Sequence, residues 1–134
     1  MRVLVLGITG MLGSTVFKSL SFAAELDVLG TMRNPEYKKY FRPEQQEKII
    51  SDVDVLDTKK LDFLINKYKP AVVINCIGLV KQLEDSKDPL IALPINSLLP
   101  HYLAKICMAN NARVIHISTD CVFSGDKGNY IEDD

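Results

Sequence analysis

The chain has 134 residues, 47% of them hydrophobic and 25% charged, which suits one domain with a core of its own. Sixteen Lys and Arg against seventeen Asp and Glu leave a formal charge of −1, so no global field recruits nucleic acid or an anionic membrane. Cys76, Cys107 and Cys121 form neither a CxxC pair nor a His-spaced zinc pattern, and their odd number without a secretory signal points to a cytoplasmic protein.

Apolar runs and helical patterns alternate from the start, as in an α/β protein with a parallel sheet. Arg2–Leu6 reads as a first strand buried on both faces, and its apolar run is far too short to span a membrane. A helix follows over about Met11–Ala24, with Leu12, Val16, Phe17 and Leu20 on one face. Asp27–Met32 is a second strand. Asn34–Glu47 carries Pro35 and Pro43 among charges and reads as an irregular, exposed connection, its basic group Lys38, Lys39 and Arg42 a solvated loop. Lys48–Ser51 is a short third strand, and Thr58–Tyr68 a helix for which Thr58 is a cap candidate. Ala71–Cys76 is a fourth strand. The helix predicted over about Pro89–Asn110 should be kinked or interrupted by Pro94 and Pro100, and Arg113–Ser118 is a fifth strand. Past Ser124 the chain is polar and Gly-punctuated. These elements predict a doubly wound parallel sheet in the order 3-2-1-4-5, with a ligand crevice at the carboxyl ends of strands one and four.

Chemistry concentrates in Gly7-Ile8-Thr9-Gly10-Met11-Leu12-Gly13, between the first strand and the first helix. Gly7 permits a tight turn, Gly10 lets a pyrophosphate approach the backbone, and Gly13 lets helix pack on sheet. The helix N-terminus adds N–H groups and the positive end of a dipole. A P-loop would need Lys after its last glycine, and Ser14 stands there instead. The cofactor type follows from charge. Strand two ends Thr31-Met32-Arg33 with no carboxylate for a ribose 2′-hydroxyl, and a guanidinium suits a 2′-phosphate; NADP is favoured, with NAD as the alternative.

The GxxGxxG spacing resembles that of extended short-chain dehydrogenase/reductases, with an NAD(P)-binding Rossmann fold. Asp54-Val55-Leu56-Asp57 looks like the family's adenine-side motif, and Asn75-Cys76-Ile77-Gly78 like its motif beside the cofactor after strand four. Ile117-Ser118-Thr119-Asp120-Cys121-Val122-Phe123-Ser124-Gly125 is similar to the STDYVFDG stretch of the dTDP-4-dehydrorhamnose reductases, with Cys121 for the usual Tyr and Ser124 for the usual Asp. The resemblance implies that Gly7, Thr9, Gly10, Met11, Leu12, Gly13, Arg33, Asp54, Val55, Cys76, Ile77 and Gly78 contact the cofactor. It matches Thr119 to the hydroxyl that hydrogen-bonds the substrate carbonyl, and Asn96 to the helix Asn of the active-site relay. A structural reading stands beside each: Thr119 as a hydroxyl capping the next turn, Asn96 as an amide satisfying backbone near Pro94.

The resemblance further implies a cytoplasmic reductase of a nucleotide-activated 4-keto-6-deoxy sugar, in which a Tyr and a Lys four residues later complete the site. No Tyr-x-x-x-Lys occurs: Tyr37 leads to Phe41, Tyr40 to Glu44, Tyr68 to Val72, Tyr102 to Ile106 and Tyr130 to Asp134. The expectation is therefore an incomplete dinucleotide-binding domain over residues 1–134, inactive alone, without the catalytic Tyr-Lys segment and the C-terminal substrate lobe. The expected partner is a nucleotide-sugar substrate, with neither nucleic acid nor membrane, and a homo-oligomer stays open. The alternatives are a sugar-nucleotide epimerase or dehydratase, or a non-catalytic NADP-binding regulatory subunit such as that of methionine adenosyltransferase.

Overall fold

A computed structural model describes residues 1–80, 83–119, 124–131 and 133. Five strands, β1 (Arg2–Leu6), β2 (Asp27–Thr31), β3 (Ile49–Ile50), β4 (Val72–Asn75) and β5 (Arg113–His116), form one sheet in the order β3-β2-β1-β4-β5. Every pairing is parallel. This is the Rossmann arrangement expected from the sequence, with the order reversing between β1 and β4.

The central strand is apolar from Val3 to Leu6 because helices cover both of its faces there. Leu4 and Leu6 pack with Leu61, Leu64 and Ile65 of α3 (Thr58–Tyr68) and with Leu99, Leu103 and Cys107 of α5 (Leu99–Ala109). Val3 and Val5 face the other way, onto Ile8 and onto Phe17 of α1 (Met11–Leu20). Burial pushes the Cys107 thiol up from its ordinary range, so it serves as a small apolar side chain. Cys121 lies outside the described residues. On the sheet edge, Arg113, Ile115 and His116 of β5 are exposed.

Several local expectations are corrected. The first helix stops at Leu20, where the Ser21 hydroxyl turns back onto the Phe17 carbonyl at 2.6 Å, and only turns continue to Ala24. Asp57, not Thr58, caps α3, because its carboxylate accepts from the Lys60 N–H at 3.0 Å. The connection over 34–47 is ordered rather than irregular. Asn34 caps a 3₁₀ turn over Pro35–Tyr40, and Pro43 opens the one-turn helix α2 (Pro43–Gln46). The buried Phe41 between them meets Phe17 edge-on, with ring centroids 5.7 Å apart.

The long helix is interrupted at Pro94, as expected, but it does not end there. It runs as α4 (Pro89–Leu93), a π turn (Pro94–Leu98) and α5, the Leu99 N–H reaching the Pro94 carbonyl. A proline contributes no N–H to the ladder, and the wider π spacing absorbs the gap. Pro89–Ala109 is long and apolar enough to cross a membrane by length and composition. Leu99, Leu103 and Cys107 lie in the core, which makes it the crossover helix of the sheet.

At the amino ends of the strands, Asp27 binds Arg2 at 2.7 Å and Lys48 at 2.8 Å. The hydrogen bond from Lys48, then that from Arg2, holds the Asp27 carboxyl below the usual carboxylate range. A lowered folded pKa gives stability that is present above the unfolded value, about 3.9, and lost as the pH falls through the folded one. Exposed pairs of this kind contribute about 0.2–1 kcal/mol each. Asp27→Asn should therefore lower the melting temperature slightly at pH 7. In melts across pH 2–7 the gap from the parent should close at the acid end.

Candidate functional site

The loops after β1 and β4 meet at the carboxyl ends of the two strands, where Ile77 stands against Gly7. Gly7 has φ of 81°, a left-handed conformation that favours glycine, and a Cβ there would stand 2.5 Å from Ile77 Cγ1. Gly13 lies against the same turn: an added Cβ would fall 2.2 Å from the Gly7 carbonyl oxygen and 2.8 Å from its carbon. Packing within the chain therefore accounts for both glycines.

Gly10 differs. Its backbone is extended, with φ −75° and ψ 161°, and an added Cβ would meet nothing closer than the Gly7 oxygen at 3.5 Å, an ordinary contact. Nothing among the described residues requires glycine there, and Gly10 stands at the N-cap of α1. No side chain caps that helix and no acidic residue occupies its first turn, so its leading N–H groups suit an external anion. Thr9, Met11 and Leu12 are exposed around the turn. A glycine that leaves room for an outside group, beside an uncapped helix N-terminus, fits a pyrophosphate.

Side-chain amides hold the loop after β4. The buried Asn75 accepts from the Ile77 N–H at 3.1 Å through Oδ1, while its Nδ2 lies 3.0 Å from His116 Nδ1. Asn96, in the π turn, accepts from the Leu79 N–H at 2.8 Å and donates to the Leu79 carbonyl at 2.9 Å. That is the backbone-satisfying amide anticipated as the structural reading of Asn96, and Gly78 lies beside it. Cys76 donates its N–H to the Leu6 carbonyl at 3.2 Å, tying the loop back to β1, and burial pushes its thiol up.

The remaining sequence candidates follow the carboxyl ends of flanking strands. Arg33 is exposed two residues past β2 and, among the described residues, forms no salt bridge. Asp54 is exposed after β3, its carboxylate accepting from the Leu56 N–H at 3.0 Å. The Val55 side chain is buried in the core with Leu61 and Leu64, which leaves the backbone as its means of touching a ligand. Thr119 is exposed three residues past β5. Asp120, Cys121, Val122 and Phe123, the centre of the motif around it, lie outside the described residues.

Tyr130 has a local role. Its hydroxyl accepts from the N–H groups of Gly125 and Lys127 and is 3.0 Å from Ser124 Oγ. The Ser124 hydrogen bond and then that of Lys127 hold the phenol below its ordinary range. Sequence reasoning missed Asn75 and His116 as a pair; the available signal was a polar residue closing the apolar run Val72-Val73-Ile74.

The RmlD substrate binding domain family matches residues 1–134. The probable low-salt glycan biosynthesis reductase Agl14 of Haloferax volcanii is 30% identical over 133 residues, 99% of this chain and 42% of that protein. Methionine adenosyltransferase 2 subunit beta of Mus musculus is also 30% identical over 133 residues, 99% of this chain and 36% of its own. Among solved structures, a hypothetical dTDP-4-dehydrorhamnose reductase from Sulfolobus tokodaii has a TM-score of 0.80 at 28% identity, over 100% of this chain and 45% of its own. The chain thus spans less than half the length of these relatives.

Proposed function

We propose, from the premise that the chain belongs to the RmlD substrate binding domain family, that it is the dinucleotide-binding unit of an NADP-dependent reductase of nucleotide-activated 4-keto-6-deoxy sugars. The observation that carries this reading is Gly10, a glycine the chain does not need for itself, set beside the uncapped start of α1. The reductase names of the Haloferax and Sulfolobus relatives support the reaction class.

In this reading NADPH, when bound, supplies a hydride. The turn from Gly7 to Gly13 and the N–H groups of α1 hold the pyrophosphate, with Thr9, Met11 and Leu12 around it. Arg33 pairs with the 2′-phosphate, and Asp54 with the Val55 backbone meets the adenine. Cys76, Ile77 and Gly78 form the wall by the nicotinamide ribose, and Asn96 fixes that wall through Leu79. Thr119 donates a hydrogen bond to the substrate keto oxygen and polarises it. A Tyr-x-x-x-Lys pair and a substrate lobe outside residues 1–134 complete the enzyme in this proposal. The mouse subunit relative, similar over the same 99% of the chain, favours a second reading as a cofactor-binding subunit without catalysis.

Calorimetric titration tests the cofactor. Arg33→Ala should weaken NADP by about 1–3 kcal/mol, the worth of a charged hydrogen bond, and leave NAD nearly unchanged. Equal effects on both would show that Arg33 does not read the 2′-phosphate. For the longer protein, NADPH oxidation that depends on a dTDP-4-keto-6-deoxy sugar is expected; cofactor binding without such turnover would favour the subunit reading.

A further inference from the structure

Among the hydrogen bonds that anchor the loop after β4, one chain has a fixed direction. A backbone N–H can only donate, so the atom 3.1 Å from Ile77 N is the Asn75 oxygen. Turning the carboxamide over would set two donors face to face. Asn75 Nδ2 is thereby aimed at His116 Nδ1, 3.0 Å away. An amide nitrogen also only donates, so Nδ1 must present a lone pair and the ring proton must sit on Nε2. β-sheet register creates the contact: Asn75 and His116 are direct partners across β4 and β5, and the Ile117 N–H donates to the Asn75 carbonyl at 3.2 Å. Asn75 is fully buried, so a group that cannot accept at position 116 would strand its NH₂.

We propose that His116 is a positioning residue for the crevice. As the neutral Nε2–H tautomer it accepts from Asn75, which fixes the carboxamide that holds Ile77 against Gly7. The last step, from Ile77 to cofactor affinity, rests on the reading of this crevice as the NADP site.

Two measurements on the cofactor-free chain are independent of that reading. Nitrogen-15 NMR of the His116 ring should show Nδ1 bare and Nε2 protonated. The Ile77 amide should be protected from hydrogen exchange, and His116→Phe, which offers no acceptor, should speed that exchange about two- to tenfold, the range one net hydrogen bond carries. His116→Gln offers a carbonyl to Asn75 and should restore the protection, a rescue that bulk packing alone would not give. NADP affinity should fall and recover by similar factors in the two variants. An Nδ1–H tautomer in the parent overturns the proposal, even if His116→Phe does not fold. So does a folded His116→Phe with unchanged Ile77 exchange, or one with a loosened Ile77 but unchanged NADP affinity. Failure of the parent to bind NADP at all would count against the cofactor reading, and the tautomer and the Ile77 exchange would then decide the anchor.

Discussion

Gly10→Val is expected to abolish NADP binding while leaving the fold intact, and Gly13→Ala to lower the stability of the chain by about 3 kcal/mol or more. The two glycines stand three residues apart in one turn yet answer to different neighbours. At Gly13 the new Cβ would fall 2.2 Å from a carbonyl oxygen and 2.8 Å from its carbon, both backbone atoms of Gly7 that cannot swing aside as a side chain could. Overpacking of that severity costs about 3 kcal/mol or more, against a total stability of about 5–15 kcal/mol for a domain. At Gly10 the backbone is extended and the space open, so valine suits the conformation, and only a weaker N-cap residue separates variant from parent. The branched side chain would occupy the approach to the first N–H groups of α1. Losing even two charge-assisted hydrogen bonds, at about 1.5–3 kcal/mol each, lowers affinity more than a hundredfold. Circular-dichroism melts beside calorimetric titration separate the effects. A Gly10→Val chain that melts like the parent and binds NADP as tightly would remove the observation on which the proposed function rests.

How much of this was legible in sequence depends on whether a feature is local. The turn from Gly7 to Gly13 is: strand, glycines and helix are consecutive, and the packing at Gly7 and Gly13 follows from their places. Strand order was legible too, because the apolar runs alternate with helical patterns and parallel strands demand crossovers. Cap identity at α3 was a choice between neighbours, Asp57 and Thr58, which only the Lys60 N–H decides. The Phe17–Phe41 contact that orders the 34–47 connection joins two elements with β2 between them, so proline and charge count alone suggested an irregular loop. Asn75 and His116 are 41 residues apart and meet only through the β4–β5 register. Nor could the motif Asp54-Val55 show that its two side chains part company, one exposed and one in the core.

Residues 1–134 alone are expected to bind NADP and to show no substrate-dependent oxidation of NADPH. In the proposed reading, binding draws on the glycine turn, the uncapped helix start, Arg33 after β2 and the amide-anchored loop after β4. Reduction of a ketone also requires a proton for the developing alkoxide, from a donor within hydrogen-bond reach. In the proposed reading Thr119 polarises that oxygen, but an aliphatic hydroxyl is a poor acid near neutral pH. Tyr130 is not placed to be that donor, since its hydroxyl serves the turn around Gly125 and Lys127 and no lysine stands four residues later. A positioned proton donor alone contributes about 10²–10⁴-fold, before any loss from an open substrate side. The check is an NADPH-oxidation assay with a dTDP-4-keto-6-deoxy sugar, run on residues 1–134 and on a longer protein that carries Tyr-x-x-x-Lys. Turnover by the 134 residues at the longer protein's rate would show that the proton comes from a group within this chain, and Thr119→Val would then be the first variant to make.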